Sequence, residues 1–332
     1  MARKNRAALP VLEHAAVYTD LFLMTLPLLA FSTYLYGRRC LVLFALAVVT
    51  ANLCDRLVSF LTDRPFDNRE MSNEAFAAML AVLLPSSVSY SVVVAAVLAA
   101  VLIGKEAFGG YGAYVFHPTA VGYVVAAVSW PEQVCRYPQP FDRLPLTLDV
   151  SPVLVDSAAS VLKNGGVPNI SALNLFLGHY AGPMGATATL ILLAVVLYLR
   201  ARGHLHYTVL AGYLAGYAAL VWLVPRVGSI PLSWPWEYMD LRLMALGYEL
   251  LGGTVLFAGV FFLCDPYTVP VNRVSRLAFG IFMGVVSAFY NYYGVFEAGV
   301  CFAVLFANCT SGWLDRIVSR TLGRRRRKGA EL

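Results

Sequence analysis

The stretch EAFAAMLAVLLPSSVSYSVVVAAVLAAVLIGKEAFGGYGAYVFHPTAVGYVVAAVSW, Glu74–Trp130, decides the fold. It holds three apolar runs, at about 74–87, 88–104 and 114–130, and each is short or interrupted. Pro85, Gly104, the glycines at 109, 110 and 112, and Pro118 supply the interruptions. A spanning helix needs about 20 apolar residues. Broken helices persist at membrane depth only where they are buried in protein or line a cavity, so these breaks point toward a site inside a membrane bundle.

Seven further apolar runs lie outward from this stretch, at about 18–36, 40–62, 186–200, 206–224, 246–264, 277–292 and 296–313, which makes ten. The composition agrees: 59% of the 332 residues are hydrophobic, 13% are charged, and the mean hydropathy is +0.67. Soluble domains carry about 25% charged residues, so a cytosolic enzyme is excluded and one polytopic bundle is expected. The net charge of +6 does not point to nucleic acid, because Arg324–Lys328 place five cations together just after the last apolar run. That is the pattern of a cytoplasmic tail.

Charge also orients the bundle. With both termini inside, 17 of the 25 Lys and Arg residues fall inside and seven outside, with Arg56 within the second run. Arg38 and Arg39, in a short outside turn, are the weak point of that count. The longest polar stretch divides the runs five and five, and an odd number per half forces related halves into opposite orientations. EAFAAMLAVLLP (Glu74–Pro85) and GTVLFAGVFFLCDP (Gly253–Pro266) echo one another. The expected organisation is therefore a cytoplasmic N-terminus at 1–17, a first five-helix repeat at 18–130, an extracytoplasmic loop at 131–185, a second, inverted five-helix repeat at 186–316, and a basic cytoplasmic tail at 317–332. The run Tyr18–Tyr36 lacks a small-residue cleavage site and reads as an uncleaved first helix. The six cysteines form no CxxC pair and read as packing residues.

Three polar segments can carry chemistry. GKEAFGGYGAYVFHPT, Gly104–Thr119, packs glycines and aromatics beside Lys105, which offers a cation for an anionic group, although a simple glycine-rich turn explains it equally. DPYTVPVNRVSRLAFGI, Asp265–Ile281, sets an acid between an apolar run and two prolines, where it is either a solvated cap or an ion-pathway ligand. Glu74, Glu249 and Glu297 are the other pathway candidates. The outward loop carries DSAASVLKNGG and GPMGATATL, small hydroxyl-rich pieces open to covalent modification. His204 and His206 beside Arg202 read as interfacial residues.

Taken in order, these segments resemble the family that contains the D subunit of the Rnf electron-transport complex and the B subunit of the sodium-pumping NADH:quinone reductase. Gly104, Lys105, Phe108, Gly109, Gly110, Gly112, Phe116 and Pro118 match the first family pattern. Asp265, Pro266, Thr268, Pro270, Phe279 and Gly280 match the second. The stretch from Tyr292 to Asn308, closed by Asp315 and Arg316, is similar to the family's ending. The short N-terminal extension favours the D-subunit branch.

The resemblance implies a multi-pass component of an ion-translocating oxidoreductase in the bacterial inner membrane, working with the A, B, C, E and G subunits of an Rnf complex and moving Na+ or H+. It also implies FMN attached as a phosphoester to a threonine of an S-G-A-T motif in the outward loop. This chain reads SAAS, Ser157–Ser160, at that place. Matching by residue type puts the acceptor at Ser160, and matching without gaps from Leu162 and Lys163 puts it at Ser157. Lys105, Phe108, Gly109, Gly110, Gly112, Phe116 and Thr187 would line flavin, and a second, noncovalent flavin such as riboflavin would need an aromatic slot like Phe108–Phe116. Tyr114, His117 and Thr119 stand where the family more often has Asn, Asn and Ala, and Gly182, Gly185, Thr187 and Thr189 replace a pattern that includes an acid. A flavin-free channel or transporter, or a scaffold subunit, is the alternative reading of the same fold.

Overall fold

An unbroken apolar run offers its backbone no polar partner in lipid except itself, so each run closes into a helix. The computed structural model describes residues 2–63, 70–147, 154–224, 226, 234–252, 254–294 and 298–330. Glu297, one of the pathway candidates, lies outside the described residues. The first hairpin joins α1 (Ala2–Tyr36) to α2 (Arg39–Leu61) through Gly37, at φ +87°. Then come α3 (Ser72–Leu83), α4 (Tyr90–Leu98) and α5 (Pro118–Ser129). The outer segment holds two short helices, α6 (Pro131–Val134) and α7 (Ala158–Lys163), a two-residue antiparallel pairing of β1 (Tyr137–Pro138) with β2 (Leu154–Val155), and α8 (Ala172–Leu177). The second half comprises α9 (Thr189–Ala201), α10 (Tyr207–Leu223), α11 (Met239–Leu251), α12 (Thr254–Phe261), α13 (Arg273–Tyr293) and α14 (Gly299–Ala330).

Four stretches are individually long and apolar enough to cross a membrane: Ala15–Tyr36, Arg39–Leu61, Tyr90–Phe108 and Arg273–Tyr293. A bent pair, α11 with Thr254–Cys264 at 51°, passes the same length and composition test when taken together, as a broken span or a re-entrant loop. The apolar helices α3, α5, α9 and α10 are shorter, and α14 begins in the last apolar run. The chain is an all-α polytopic membrane protein, and the ten runs of the sequence each fall on a helix or helix pair. The neighbour relations recur between halves. In the first, α3 packs on α1, α2 and α5, and α4 packs on α2 and α5. In the second, α12 packs on α9 and α14, α11 on α10, and α13 on α10 and α14.

The interruptions have separate causes. Leu84 precedes Pro85 and leaves the helix at ψ 157°, as a residue before proline must. α4 widens into a π-helical turn over Ala99–Lys105, followed by a single 3-10 turn, Glu106–Phe108. Helix ends leave unpaired carbonyls, and inside a bundle another segment has to supply donors. Here residues of the outer segment do so: Met184 N–H donates to Leu84 O at 3.1 Å and Gly185 N–H to Val82 O at 2.7 Å. The segment 131–185 is therefore not simply an outward loop, because its last residues are buried against the broken α3.

Two other expectations shift. The described parts of the N-terminal and C-terminal pieces, 2–17 and 317–330, run on as helix within α1 and α14. Arg39, counted as an outside charge, has no exposed surface. Its guanidinium donates to the carbonyls of Ser86 (2.9 Å), Val88 (2.8 Å), Leu146 (3.0 Å) and Pro145 (3.2 Å), and lies over the Tyr90 ring. It is a staple for the α3–α4 break. Elsewhere α10 and α13 approach backbone to backbone. A Cβ on Gly280 would stand 2.3 Å from Val209 O, and one on Gly284 would stand 2.2 Å from Tyr213 O. Gly212 and Gly216 face them from α10, so small residues repeat every fourth position on both sides of the seam.

Candidate functional sites at the two ends of the bundle

The run that ends α12 tightens into a 3-10 turn, Phe262–Cys264, and delivers Asp265 into the interior at 1% exposure. Oδ1 accepts from Tyr18 Oη at 2.8 Å and Tyr114 Oη at 2.9 Å, and Oδ2 accepts from Thr268 Oγ1 at 2.8 Å. The Tyr18 and Tyr114 hydroxyls also lie against each other, and with one proton each they either both address the carboxylate or one of them turns to the other. Rings close around this carboxylate in edge-to-face contacts: Tyr18 with Phe76 and Tyr111, Tyr114 with Phe76 and Tyr267, and Tyr111 with Tyr267. Burial, followed by the neighbouring phenol, pushes the Tyr111 hydroxyl up, and burial raises that of Tyr267, so both remain protonated. A carboxylate among hydroxyls is an oxygen donor set, suited to a hard cation or to a proton. Beside it opens a cavity of about 670 Å³.

The glycine segment builds one wall of this cluster. Gly109, Gly110 and Gly112 take φ of +112°, +88° and +76°, and a Cβ on Gly112 would sit 3.2 Å from the Tyr267 ring. The loop thus folds over Tyr267 and presents Tyr111 and Tyr114 to it. Lys105 is 1% exposed; its Nζ pairs with Glu70 and donates to Ser72 Oγ at 2.9 Å and Asn73 Oδ1 at 3.1 Å. An ammonium has three protons, so Lys105 ties α4 to the start of α3 and holds none out toward an anion. Phe108 and Phe116 meet each other at 5.6 Å and 63°, and the interval between them is filled by that contact.

The other acids lie apart. Glu74 stands in the first turn of α3 with Oε2 buried. Glu249, on α11, accepts from Tyr217 Oη at 2.5 Å, and that hydroxyl in turn accepts from Asn291 Nδ2 at 2.8 Å. Among the described residues no hydrogen bond joins Glu74, Glu249 and Asp265.

The SAAS segment sits at the opposite end. Ser157 is the N-cap of α7: it is 6% exposed and its Oγ accepts from Ser160 N–H at 3.1 Å. Ser160, one turn on, lines an open cleft of about 350 Å³ with Arg136, Lys163, Glu132, Asp156, Cys135 and Asn164. Lys163 Nζ also donates to the carbonyl of Gly294, just past the end of α13. Thr187 is fully buried, with its methyl group against Gly182, and does not line this cleft. α13 has 21 residues and so measures about 31 Å, close to the thickness of a bilayer's hydrocarbon core. Its far end, at Arg273–Arg276, borders the cavity beside Asp265.

A family model, described as the NQR2, RnfD, RnfE family, matches residues 12–323. The chain belongs to the NQR2, RnfD, RnfE family. It is 30% identical to a Cronobacter sakazakii protein named as the D subunit of an ion-translocating oxidoreductase complex, over 88% of this chain and 90% of that one. Proteins of the same name from Stutzerimonas stutzeri and Salmonella typhi are 27% and 28% identical, covering 92% and 87% of this chain and 91% and 88% of theirs.

Several of the residues that carry the resemblance to the NQR2, RnfD, RnfE family hold the fold. Lys105 joins two helices, Gly280 opens the α10–α13 seam, and Thr268 turns back onto Asp265. Tyr114, a departure from the family pattern, is itself an Asp265 donor. Sequence reasoning missed Tyr18 and Tyr267 as members of this cluster. The Asp-to-Thr spacing of three in DPYT signals only the Thr268 contact, since it lets a hydroxyl return to the carboxylate, whereas Tyr18 lies 247 residues away from Asp265.

Proposed function

We propose that this chain is the membrane component of an Rnf-type ion-translocating oxidoreductase that relays electrons through FMN carried on Ser160 and couples them to movement of Na+ or H+ past Asp265. The observation that carries the flavin assignment is the contrast between the two serines. Ser157 Oγ is engaged as a helix cap beside a void of about 20 Å³, room for one water, whereas Ser160 faces a cleft of about 350 Å³. Arg136 and Lys163 fit a phosphodiester there by charge, with Glu132 and Asp156 also in the lining. FMN bound in this way supplies reversible electron transfer at its ring system. Ser157 fixes the start of α7 so that Ser160 faces the cleft, and Lys163 anchors the helix to the end of α13. Because Phe108 and Phe116 pack on one another, the reading carries one flavin and no riboflavin between these rings.

The ion side of the reading rests on Asp265, the acid that combines three hydroxyl donors with a neighbouring cavity. The charge count supports a cavity on the cytoplasmic side of the inner membrane, with both termini inside and the Ser160 cleft outside. The recurrent packing of the two halves supports an inverted five-helix repeat. The A, B, C, E and G subunits of such a complex are the partners this reading calls for. The test is a denaturing gel of protein co-expressed with a flavin transferase. A fluorescent band is expected in the unmodified protein and in Ser157→Ala, and its loss in Ser160→Ala. A band that survives Ser160→Ala, or is absent from the unmodified protein, overturns the attachment.

A further inference from the structure

The cavity of about 670 Å³ beside Asp265 is larger than one small ion needs, and its lining is mixed. Arg202, His204, His206 and Arg276 provide the polar wall, and Val17, Leu263, Val269 and Val271 an apolar one. Asp265 is the carboxylate among the lining residues, and its two oxygens already accept from Tyr18, Tyr114 and Thr268. Asp20 engages Arg202 Nε at 2.8 Å and His204 Nε2 at 2.7 Å, so it offsets part of the Arg202 charge and leaves Arg276 without that partner. Burial, then the charges of Arg276 and Arg200, hold the His206 imidazole below its ordinary value.

The position is equally specific. α9 ends at Ala201, α10 begins at Tyr207, α13 begins at Arg273, and the apolar stretch of α1 begins at Ala15. Arg202, His206, Arg276 and Ala16 of the lining all lie within three residues of those boundaries. The cavity therefore sits at the level where lipid hydrocarbon gives way to headgroups. The N-terminus of α10 borders it and adds partial positive charge, while that of α13 is already capped by Asp315.

We propose that this cavity binds the phosphate headgroup of an anionic membrane lipid, with the phosphate among Arg202, His206 and Arg276 and the upper acyl methylenes against the apolar wall. Basic pockets between membrane helices take such headgroups. The apolar wall and the volume favour a lipid over free phosphate, which would use neither.

The test uses the full chain purified in detergent and titrated with cardiolipin, phosphatidylglycerol, phosphatidylcholine or inorganic phosphate, with bound lipid read by native mass spectrometry. The two anionic lipids are expected to bind and phosphatidylcholine is not. Arg276→Gln and His206→Gln are each expected to weaken cardiolipin about fivefold, and Arg276→Lys to retain it. Equal binding of phosphatidylcholine overturns the proposal, as does unchanged cardiolipin affinity in the two neutral variants. Displacement of cardiolipin by millimolar inorganic phosphate assigns the site to free phosphate and overturns the lipid. Should Arg276→Gln fail to fold, His206→Gln and the lipid selectivity of the unmodified chain decide the matter.

Discussion

Arg39 Nε donates to the carbonyl of Ser86 at 2.9 Å, and the same guanidinium reaches Val88 O on the other side of the turn. The break after α3 is thereby closed by a side chain from the start of α2. Arg39→Ala leaves these buried carbonyls without donors, at a cost of about 1–3 kcal/mol for each unsatisfied group. Thermal unfolding in detergent is expected to show the loss, with Arg39→Lys recovering only part of it because a point charge cannot reach carbonyls on several sides.

The α10–α13 seam has no room for side chains. Gly284→Val puts a Cβ where Tyr213 O already stands, and overpacking of this kind costs about 1–3 kcal/mol or more. Reduced yield of folded protein and a lower unfolding temperature are expected. Gly247→Ala, at a helical glycine with open space around it, is the control that should leave both unchanged.

Asp265→Asn retains one acceptor oxygen but removes the charge that three hydroxyls address. Hydrogen bonds to a charged group are worth about 1.5–3 kcal/mol each. In proteoliposomes of the assembled complex, ion uptake is expected to fall at least tenfold. Glu249→Gln, at a carboxylate held by the Tyr217 hydroxyl and remote from the Asp265 cavity, is expected to have a smaller effect.

Asp315 caps α13 from the neighbouring helix, accepting from Val271 N–H at 2.8 Å, Asn272 N–H at 3.3 Å and Asn272 Nδ2 at 2.9 Å. Partial burial pushes its carboxyl up, but these donors prevail and hold it below the ordinary carboxylate value. A depressed folded pKa means that the contribution is complete above the unfolded value, about 3.9, and is lost as pH falls through the folded one. Unfolding measured from pH 6 downward should show an acid-sensitive component that Asp315→Asn removes.

Much of the architecture was legible because lipid forces apolar runs into helices, so all ten runs, from Tyr18–Tyr36 onward, could be placed from their hydropathy, although among the described residues only four are individually long and apolar enough to span. What could not be read was where helix ends find donors. Met184 and Gly185 lie about a hundred residues from Leu84 and Val82, and nothing local in GPMG announces that partnership. The same holds for Lys105, a cation beside glycines whose fate depends on Glu70. At the SAAS segment two alignments of the serines were equally open. Only the turn of α7 separates a capping hydroxyl from one in a cleft.

α13 is held at both ends: Lys163 grips the carbonyl beyond its last turn, and Asp315 grips the amides before its first. With about 31 Å between them, the Ser160 cleft and the Asp265 cluster share no atoms. A change of state at one end can reach the other only as a difference in how well the intervening helices pack in two arrangements. That makes the relation between the two ends a coupling free energy, and such a quantity is reciprocal. On the proposed reading, an ion that favours one charge state of a group on Ser160 would itself be held more tightly in that state, and α13, pinned at both ends, is the element that joins the two.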